Sequence, residues 1–198
     1  MKGKGCLVLV IALVVIAGIA FMWGVGVRNN FNVQKQEVES KWGNVQTAYQ
    51  KRADLIPNLE RAVKSYAKFE QETLTQVVEA RSKASAVQID PTNMTEADMA
   101  KFEAAQGQLS GALGRLMVVV EKYPDLKASQ QYTDFQREYV AVENSIRTER
   151  VYYNDAAKVY NTAVENFPQN LVASMTNYKA KPYFQAEAGA DKAPEVFK

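Results

Sequence analysis

The sequence predicts an all-α protein: a single N-terminal transmembrane helix followed by an antiparallel, up-and-down bundle of three to four helices. Three observations predict this fold class. An uncharged apolar run lies near the N-terminus, apolar residues recur every three or four positions through most of the chain, and Gly and Pro are rare inside these periodic segments. No stretch keeps the two-residue period of a strand for long enough to compete.

The apolar run covers residues 6–27 and contains no charged residue. As a helix it spans roughly 30 Å, which is the thickness of the hydrocarbon core of a bilayer. Arg28 closes the run, and Trp23 lies near its end, where an indole ring is favoured at the level of the lipid headgroups. A cleaved secretory signal is the alternative, although the apolar core of such signals is shorter than this run. We therefore predict a transmembrane anchor over residues 1–28.

The flanks of the anchor leave two questions open. Basic residues lie on both sides of it, so the charge bias does not decide its orientation. Cys6 stands at the membrane edge, at the start of the apolar run and not after it, which argues against a lipoprotein and leaves acylation of its thiol open. The anchor contains no Gly-x-x-x-Gly pair, so the sequence gives no support for close-packed dimerisation through that motif.

Composition argues against several kinds of functional site. The chain has no histidine and one cysteine, so it lacks the usual zinc ligands, the base of a Ser-His-Asp triad and an internal disulfide. Lys2 and Lys4 account for the whole excess of 24 basic over 22 acidic residues, so the rest of the chain is formally neutral, which argues against nucleic-acid binding. No Gly-rich phosphate loop or Gly-x-Ser-x-Gly elbow occurs. We predict no catalytic, cofactor-binding or metal-binding residues and infer no small-molecule substrate.

The first segment of the bundle carries apolar residues that step by three or four positions: Val38, Trp42, Val45, Tyr49, Ala53, Ile56, Leu59, Val63 and Tyr66. This period predicts the buried face of a helix packed nearly parallel to its neighbours. The register continues across Pro57, so we predict one long helix over residues 30–88 with a kink near Ile56, because proline removes one backbone hydrogen bond. A corner between two helices at Pro57 is the alternative.

A capping box predicts the start of the next helix. Thr95 and Asp98 have the spacing at which each side chain caps the backbone N–H of the other residue. Apolar residues then alternate steps of three and four again until Pro124 stops the helix. Three glycines inside it each weaken a helix by about 1 kcal/mol relative to Ala: Gly107, Gly111 and Gly114. They predict close approach of another backbone, with mobility of the helix as the alternative.

The last long helix is predicted over about residues 128–165, with aromatic residues along its buried face. Pro168 begins a short apolar turn after it, and the sequence from Tyr178 onwards shows no helical period. The bundle is therefore expected over residues 29–185, and residues 186–198 are expected to form an irregular C-terminal tail.

These segments also carry a family resemblance. The stretch "FNVQKQEVESKWGNVQTAYQKRADLIPNLERAVKSYAKFE" resembles the hallmark segment of the LemA family, and so do the later blocks "LGRLMVVVEKYPDLKASQQY", "ENSIRTERVYYNDAAKVYN", "FPQNLVA" and "KPYF". The similarity covers about residues 29–185. It implies a bacterial protein with an N-terminal membrane helix, an N-terminus that lies outside, and an antiparallel helical bundle. The molecular function of the family is not established, and the resemblance supplies no catalytic residues.

Charged residues near the buried faces predict one internal site. We expect Arg52 to meet Glu143 or Glu149 in a polar layer between helices, where the pair would fix the register of the bundle. Pro57 marks the expected kink, which is interpreted as a fixed bend in preference to a hinge.

The residues, together with the bacterial source that the resemblance implies, favour a non-enzymatic, membrane-anchored module that binds or scaffolds another protein at the cell envelope, with the inner membrane as its location. The alternatives are an accessory subunit of a membrane enzyme and a homo-oligomeric structural element. The expected partners are therefore the lipid bilayer and either another envelope protein or a second copy of the chain, with no nucleic acid.

Overall fold

Six helices make up the part of the chain that the computed structural model describes, which is residues 2–64 and 71–185, and no strand occurs within it. They are α1 (Lys2–Lys64), α2 (Gln71–Ala86), α3 (Glu96–Val120), α4 (Pro124–Lys127), α5 (Gln130–Glu165) and α6 (Gln169–Thr176). The all-α class predicted from the sequence is confirmed. The predicted tail, residues 186–198, lies outside the described residues.

Helix α1 joins the apolar N-terminal run to the bundle without interruption. Its N-terminal part is long and apolar enough to cross a membrane, with a mean hydropathy of 2.8 over its most apolar window, and the protein buries none of that window. Burial begins where the run ends, since Val27 is 8% exposed and Phe31 is 1% exposed. One helix therefore serves first as the apolar segment and then as a core element of the bundle.

Helix α2 runs back along α1, which contradicts the predicted single helix over residues 30–88. Arg81 in α2 donates a hydrogen bond from Nε to the carbonyl oxygen of Ala53 at 2.8 Å. In a continuous helix these two residues would lie roughly 40 Å apart. The alternative corner at Pro57 is also wrong, because α1 continues through Pro57 to Lys64.

The error has a physical cause. Helices α1 and α2 bury apolar faces with the same period, and no Gly or Pro marks the sequence "SYAKFE" between them. Periodicity alone therefore does not distinguish one rod from two antiparallel helices that share a core. Tyr66, the last residue of the predicted buried face, lies outside the described residues.

The four long helices run up, down, up and down. Trp42 and Arg52 of α1 contact Tyr153 and Glu143 of α5, so α1 and α5 are antiparallel. The same two residues contact α3 in ascending order, Trp42 through Phe102 and Arg52 through Ser110, so α3 runs parallel to α1. Backbone contacts are most extensive between α1 and α5 and between α2 and α3, which makes the bundle two paired layers.

Two apolar clusters form the core, and Arg52 lies between them along α1. The membrane-proximal core contains most of the buried rings: Phe31, Trp42, Tyr49, Phe102, Tyr153, Tyr160 and Phe184. The distal core is mainly aliphatic, from Ile56, Leu59, Val63, Leu74, Val77, Leu109, Leu113, Leu116, Val120 and Leu126, with Tyr132 and Phe135 beside them.

The two ends of α3 agree with the sequence prediction, but the close backbone approach predicted at its glycines is not found. Thr95 is the N-cap of α3 and shares a complete capping box with Asp98, as predicted, and α3 ends before Pro124. No neighbouring backbone approaches the three glycines. A β-carbon would meet nothing within 4 Å at Gly107 or Gly114, and only the side chain of Arg115 at 3.8 Å at Gly111.

Candidate functional site

The guanidinium of Arg52 is the centre of a buried polar layer. Its side chain is 2% exposed. Nη1 donates to Ser110 Oγ at 2.6 Å and to Glu143 Oε1 at 3.1 Å, and Nη2 donates to Gln106 Oε1 at 2.6 Å and to the Gln106 carbonyl at 3.2 Å. Three helices therefore converge on one cation, α1 supplying the charge and α3 and α5 the acceptors.

The layer also includes two tyrosines. The Arg52 guanidinium lies 5.0 Å from the centre of the Tyr49 ring, a cation–π contact. Burial, together with the nearby Glu143 carboxylate, raises the pKa of Tyr139 to about 12. Burial also raises the pKa of Tyr49, so both phenols stay neutral at physiological pH. Among the described residues, Glu143 is the acid that pairs with Arg52.

Glu149, the other acid expected near Arg52, does not contact it. Glu149 is half-buried, and its Oε2 atom is enclosed with no hydrogen-bond donor in reach among the described residues. The side chain lies nearly two helical turns beyond Glu143 along α5, which is too far for the arginine that Glu143 contacts. Nη1 and Nη2 of Arg52 donate to acceptors inside the bundle, so this polar layer joins helices.

The carbonyl that Pro57 leaves without its helical partner is used by α2. Proline has no N–H, so the carbonyl of Ala53, four residues earlier, loses its helical hydrogen bond. Ala53 is 4% exposed, and a buried carbonyl without a donor is costly. The Arg81 Nε–H at 2.8 Å supplies that donor. Pro57 thus creates an acceptor on α1 that fixes where α2 docks.

An extended segment after α6, residues 178–185 and here called the strap, lies along α5. The Asn161 side chain donates to the Lys181 carbonyl at 2.8 Å and accepts from the Lys181 N–H at 2.7 Å. Asn154 makes the same two bonds with Phe184, at 3.1 and 2.9 Å. Two helical turns separate the asparagines by about 10 Å, the same distance that three extended residues cover. The spacing of the asparagines therefore matches the strap.

Side chains of the strap complete the membrane-proximal core. The Phe184 ring packs against the rings of Trp42 and Tyr153, at centroid distances of 5.9 and 5.4 Å. Tyr153 also donates its O–H to the Pro182 carbonyl at 3.0 Å. The strap is therefore part of the fold, although the sequence predicted no regular structure for it.

Lys181 holds the strap to the connection between α2 and α3. Its Nζ donates to the carbonyls of Pro91 and Thr92 at 2.6 and 2.8 Å, and the residue is 6% exposed. Burial lowers the pKa of this ammonium from its ordinary value. At the other end of the strap, Arg150 donates to the Gln185 carbonyl at 2.8 Å and pairs with Glu103 of α3.

Sequence reasoning missed the strap and its asparagines. Side-chain pairing with an extended backbone leaves no apolar period, so pattern analysis does not detect it. The available signals were Asn154 and Asn161 at a seven-residue spacing beside the buried face of α5, and the block "KPYF". Within the described residues, no three His, Cys, Asp or Glu side chains come together in a way that would hold a metal.

Several known proteins are similar to this chain in sequence. The chain is 26% identical to magnetosome protein MamQ 2 of Paramagnetospirillum magneticum and 25% identical to magnetosome protein MamQ of Magnetospirillum gryphiswaldense, in each case over 98% of this chain and 79% of the relative. It is 29% identical to protein LemA of Metamycoplasma hominis over 85% of this chain and 74% of the relative. A model of the LemA family matches residues 41–197. That match covers most of the chain and includes the Arg52 layer and the strap, and the chain therefore belongs to the LemA family.

Proposed function

We propose that this protein is a non-enzymatic interaction or scaffold module, tethered to the inner membrane at the bacterial cell envelope. The observation that carries the proposal is the continuity of α1, which is at once the apolar membrane helix and a core helix of the bundle. A bundle held in this way presents its surface at a fixed distance from the bilayer. That geometry suits a protein whose partners are also membrane proteins.

The outer face of α5 is the proposed contact surface. Side chains on its opposite face, among them Tyr153, Ala157 and Tyr160, are buried against the bundle. The outer face carries four exposed apolar residues over roughly 30 Å of helix: Val140, Val151, Tyr152 and Val159. These four side chains are spread over the outward half of α5, and exposed apolar side chains on such a surface suit packing against a helix of a second protein.

Two further observations support a non-enzymatic role at the membrane. Arg52, the cation that sequence analysis singled out, holds three helices together, because it binds Glu143 of α5 as well as Ser110 and Gln106 of α3. The names of the relatives, magnetosome protein and protein LemA, denote no enzymatic activity.

The family resemblance implies an external N-terminus, which would place the bundle on the cytoplasmic face.

In-cell photo-crosslinking tests the proposal. A photo-reactive phenylalanine analogue is placed at Val151 or Tyr152, each 51% exposed, in the full-length protein. The control is the same analogue at Glu79, an exposed residue of α2, which is the layer away from α5. We expect one dominant adduct with another envelope protein from the α5 positions and none from Glu79.

The identity of the adduct separates the alternatives. Adducts only with a second copy of the chain would favour a homo-oligomeric structural element, and an adduct with a membrane enzyme would favour an accessory subunit. The absence of any adduct from α5, or equal labelling from Glu79, would overturn the proposed surface.

A further inference from the structure

Helix α5 ends at the level where α1 leaves the apolar run. Trp42 lies opposite Tyr153, and the two helices are antiparallel, so the last residues of α5 lie opposite Phe31 and Asn30. Phe31 is only four residues beyond Val27, the end of the apolar run, which is a rise of about 6 Å. The headgroup region of a bilayer extends about 5 to 8 Å beyond the hydrocarbon on each side. The base of the bundle therefore lies at headgroup level.

Helix α6 crosses this base. The chain leaves α5 opposite Asn30 and returns to the same level at Tyr178, whose ring contacts Phe31 at 5.2 Å and whose O–H donates to Asn32. Helix α6 itself is eight residues and about 12 Å long, yet Glu165 before it and Tyr178 after it lie at nearly one height on α1. It therefore runs across the axis of α1, in the direction of the plane of the membrane.

The two faces of this segment differ sharply. Ala173 is 3% exposed and belongs to the membrane-proximal core. Leu171 and Met175 lie on the opposite face of the helix, and Phe167 precedes it. Met175 at 86% and Phe167 at 79% are the most exposed large apolar side chains in the described part of the chain, ahead of those on the anchor. Exposed apolar groups of this size mark an interaction surface.

The segment is also uncharged. No charged residue occurs between Glu165 and Lys179, the longest such interval after the anchor. Ser, Thr, Asn and Gln side chains flank the apolar ones there, and such neutral polar groups enter a headgroup region without the cost of burying a charge.

We infer that α6 is an interfacial helix and that Phe167, Leu171 and Met175 insert into the headgroup and acyl boundary of the bilayer that holds the anchor. The occupant of this apolar face is lipid, because the face lies on the membrane side of the bundle, beside the point where α1 emerges. The inference rests on the membrane-spanning anchor of the proposed function and goes beyond it, since it adds a second lipid contact far along the chain.

Depth-dependent fluorescence quenching tests the inference. Full-length protein carrying Cys6→Ser and one new cysteine, Met175→Cys or Phe167→Cys, is labelled with an environment-sensitive fluorophore and reconstituted into phosphatidylcholine–phosphatidylglycerol vesicles with spin-labelled lipid. The aqueous control is Val118→Cys on α3, which is 68% exposed but lies beside the distal core. The anchor control is Val14→Cys.

We expect blue-shifted emission and strong quenching at positions 175, 167 and 14, and neither at position 118. The double substitution Leu171→Asp with Met175→Asp should remove the blue shift of a label at position 167 and leave that at position 14 unchanged. Emission at positions 175 and 167 that matches position 118, while position 14 is quenched, would overturn the inference and leave the anchor intact. An unquenched label at position 14 would instead overturn the anchor and the inference together.

Discussion

The two halves of the bundle reach a closed core by different means. In the distal half, α2 is present as a fourth helix and the core is mainly aliphatic. In the membrane-proximal half α2 is absent, because Arg81 faces Ala53 and α2 ends five residues later, level with about Ala48. The strap and the connection before α3 occupy the fourth position there, and seven aromatic residues fill the space between them and the helices. Extended backbone replaces a helix where large rings and paired asparagines complete the packing.

Among the variants that test this difference between the two halves, Trp42→Ala should lose the most stability. Trp42 is fully buried and contacts the rings of Phe102, Tyr153 and Phe184. We expect a loss of about 3–5 kcal/mol in the free energy of unfolding, measured by urea denaturation of the full-length protein in detergent. Hydrogen exchange should also show loss of protection in the strap. Leu116→Ala in the distal core is the control. A comparable loss of hydrogen-exchange protection in the strap of that variant would show that the two halves do not unfold independently.

Arg52→Ala tests the boundary between the halves. The substitution leaves Gln106 Oε1 and the Glu143 carboxylate without their buried donor, so we expect a loss of about 3 kcal/mol in unfolding free energy. Glu143→Gln should cost less, because the Glu143 side chain is 30% exposed and a neutral amide still accepts. If Arg52→Ala were neutral, the polar layer would not be a joint between the two cores.

Asn161→Leu should release one end of the strap. The variant removes both hydrogen bonds to Lys181, with an expected cost of about 1–3 kcal/mol because the Lys181 N–H and carbonyl are left unpaired. Faster limited proteolysis within residues 178–185 is the measurement, with Asn144→Leu on the exposed part of α5 as the control. Unchanged proteolysis would show that the rings alone hold the strap.

A double-mutant cycle on Pro57 and Arg81 examines how the distal half is docked. Pro57→Ala supplies an N–H for the Ala53 carbonyl, so Arg81→Met should cost less in that background than in the natural chain. We expect a coupling free energy of about 1 kcal/mol, with a stable fold for Pro57→Ala alone. Additive effects would show that Arg81 does not compensate for the proline, and unfolding of Pro57→Ala would contradict the interpretation of Pro57 as a tolerated kink.

The smallest expected effect is a gain in stability. Gly107→Ala and Gly114→Ala add a methyl group where nothing lies within 4 Å, and each should stabilise α3 by about 0.5–1 kcal/mol through helix propensity. A rise in the melting temperature measures this. Destabilisation by either substitution would show that the glycines serve a close contact after all.

Apolar periodicity predicted the helices and most of their buried residues because each helix buries one face. It did not reveal the reversal between α1 and α2, since both helices present the same period to one core. The register between distant helices depends on packing, so the sequence offered Glu143 and Glu149 equally and only Glu143 contacts Arg52. The strap was not predicted because Asn154 and Asn161 recognise backbone, which any sequence supplies.

Because α1 is continuous, a tilt of its membrane segment moves the whole bundle. About 54 Å of helix separate Arg28 from Lys64 at 1.5 Å per residue, with no hinge loop between them. Membrane helices are tilted by about 20° on average and adjust to a thinner bilayer by tilting further, and a change of about 20° from the membrane normal would swing the far end of α1 by roughly 18 Å. The swing is nearly parallel to the membrane, and the height of the distal end changes by only about 3 Å. The lateral position of the distal end thus depends on the thickness of the membrane, whereas its distance from the bilayer is nearly constant.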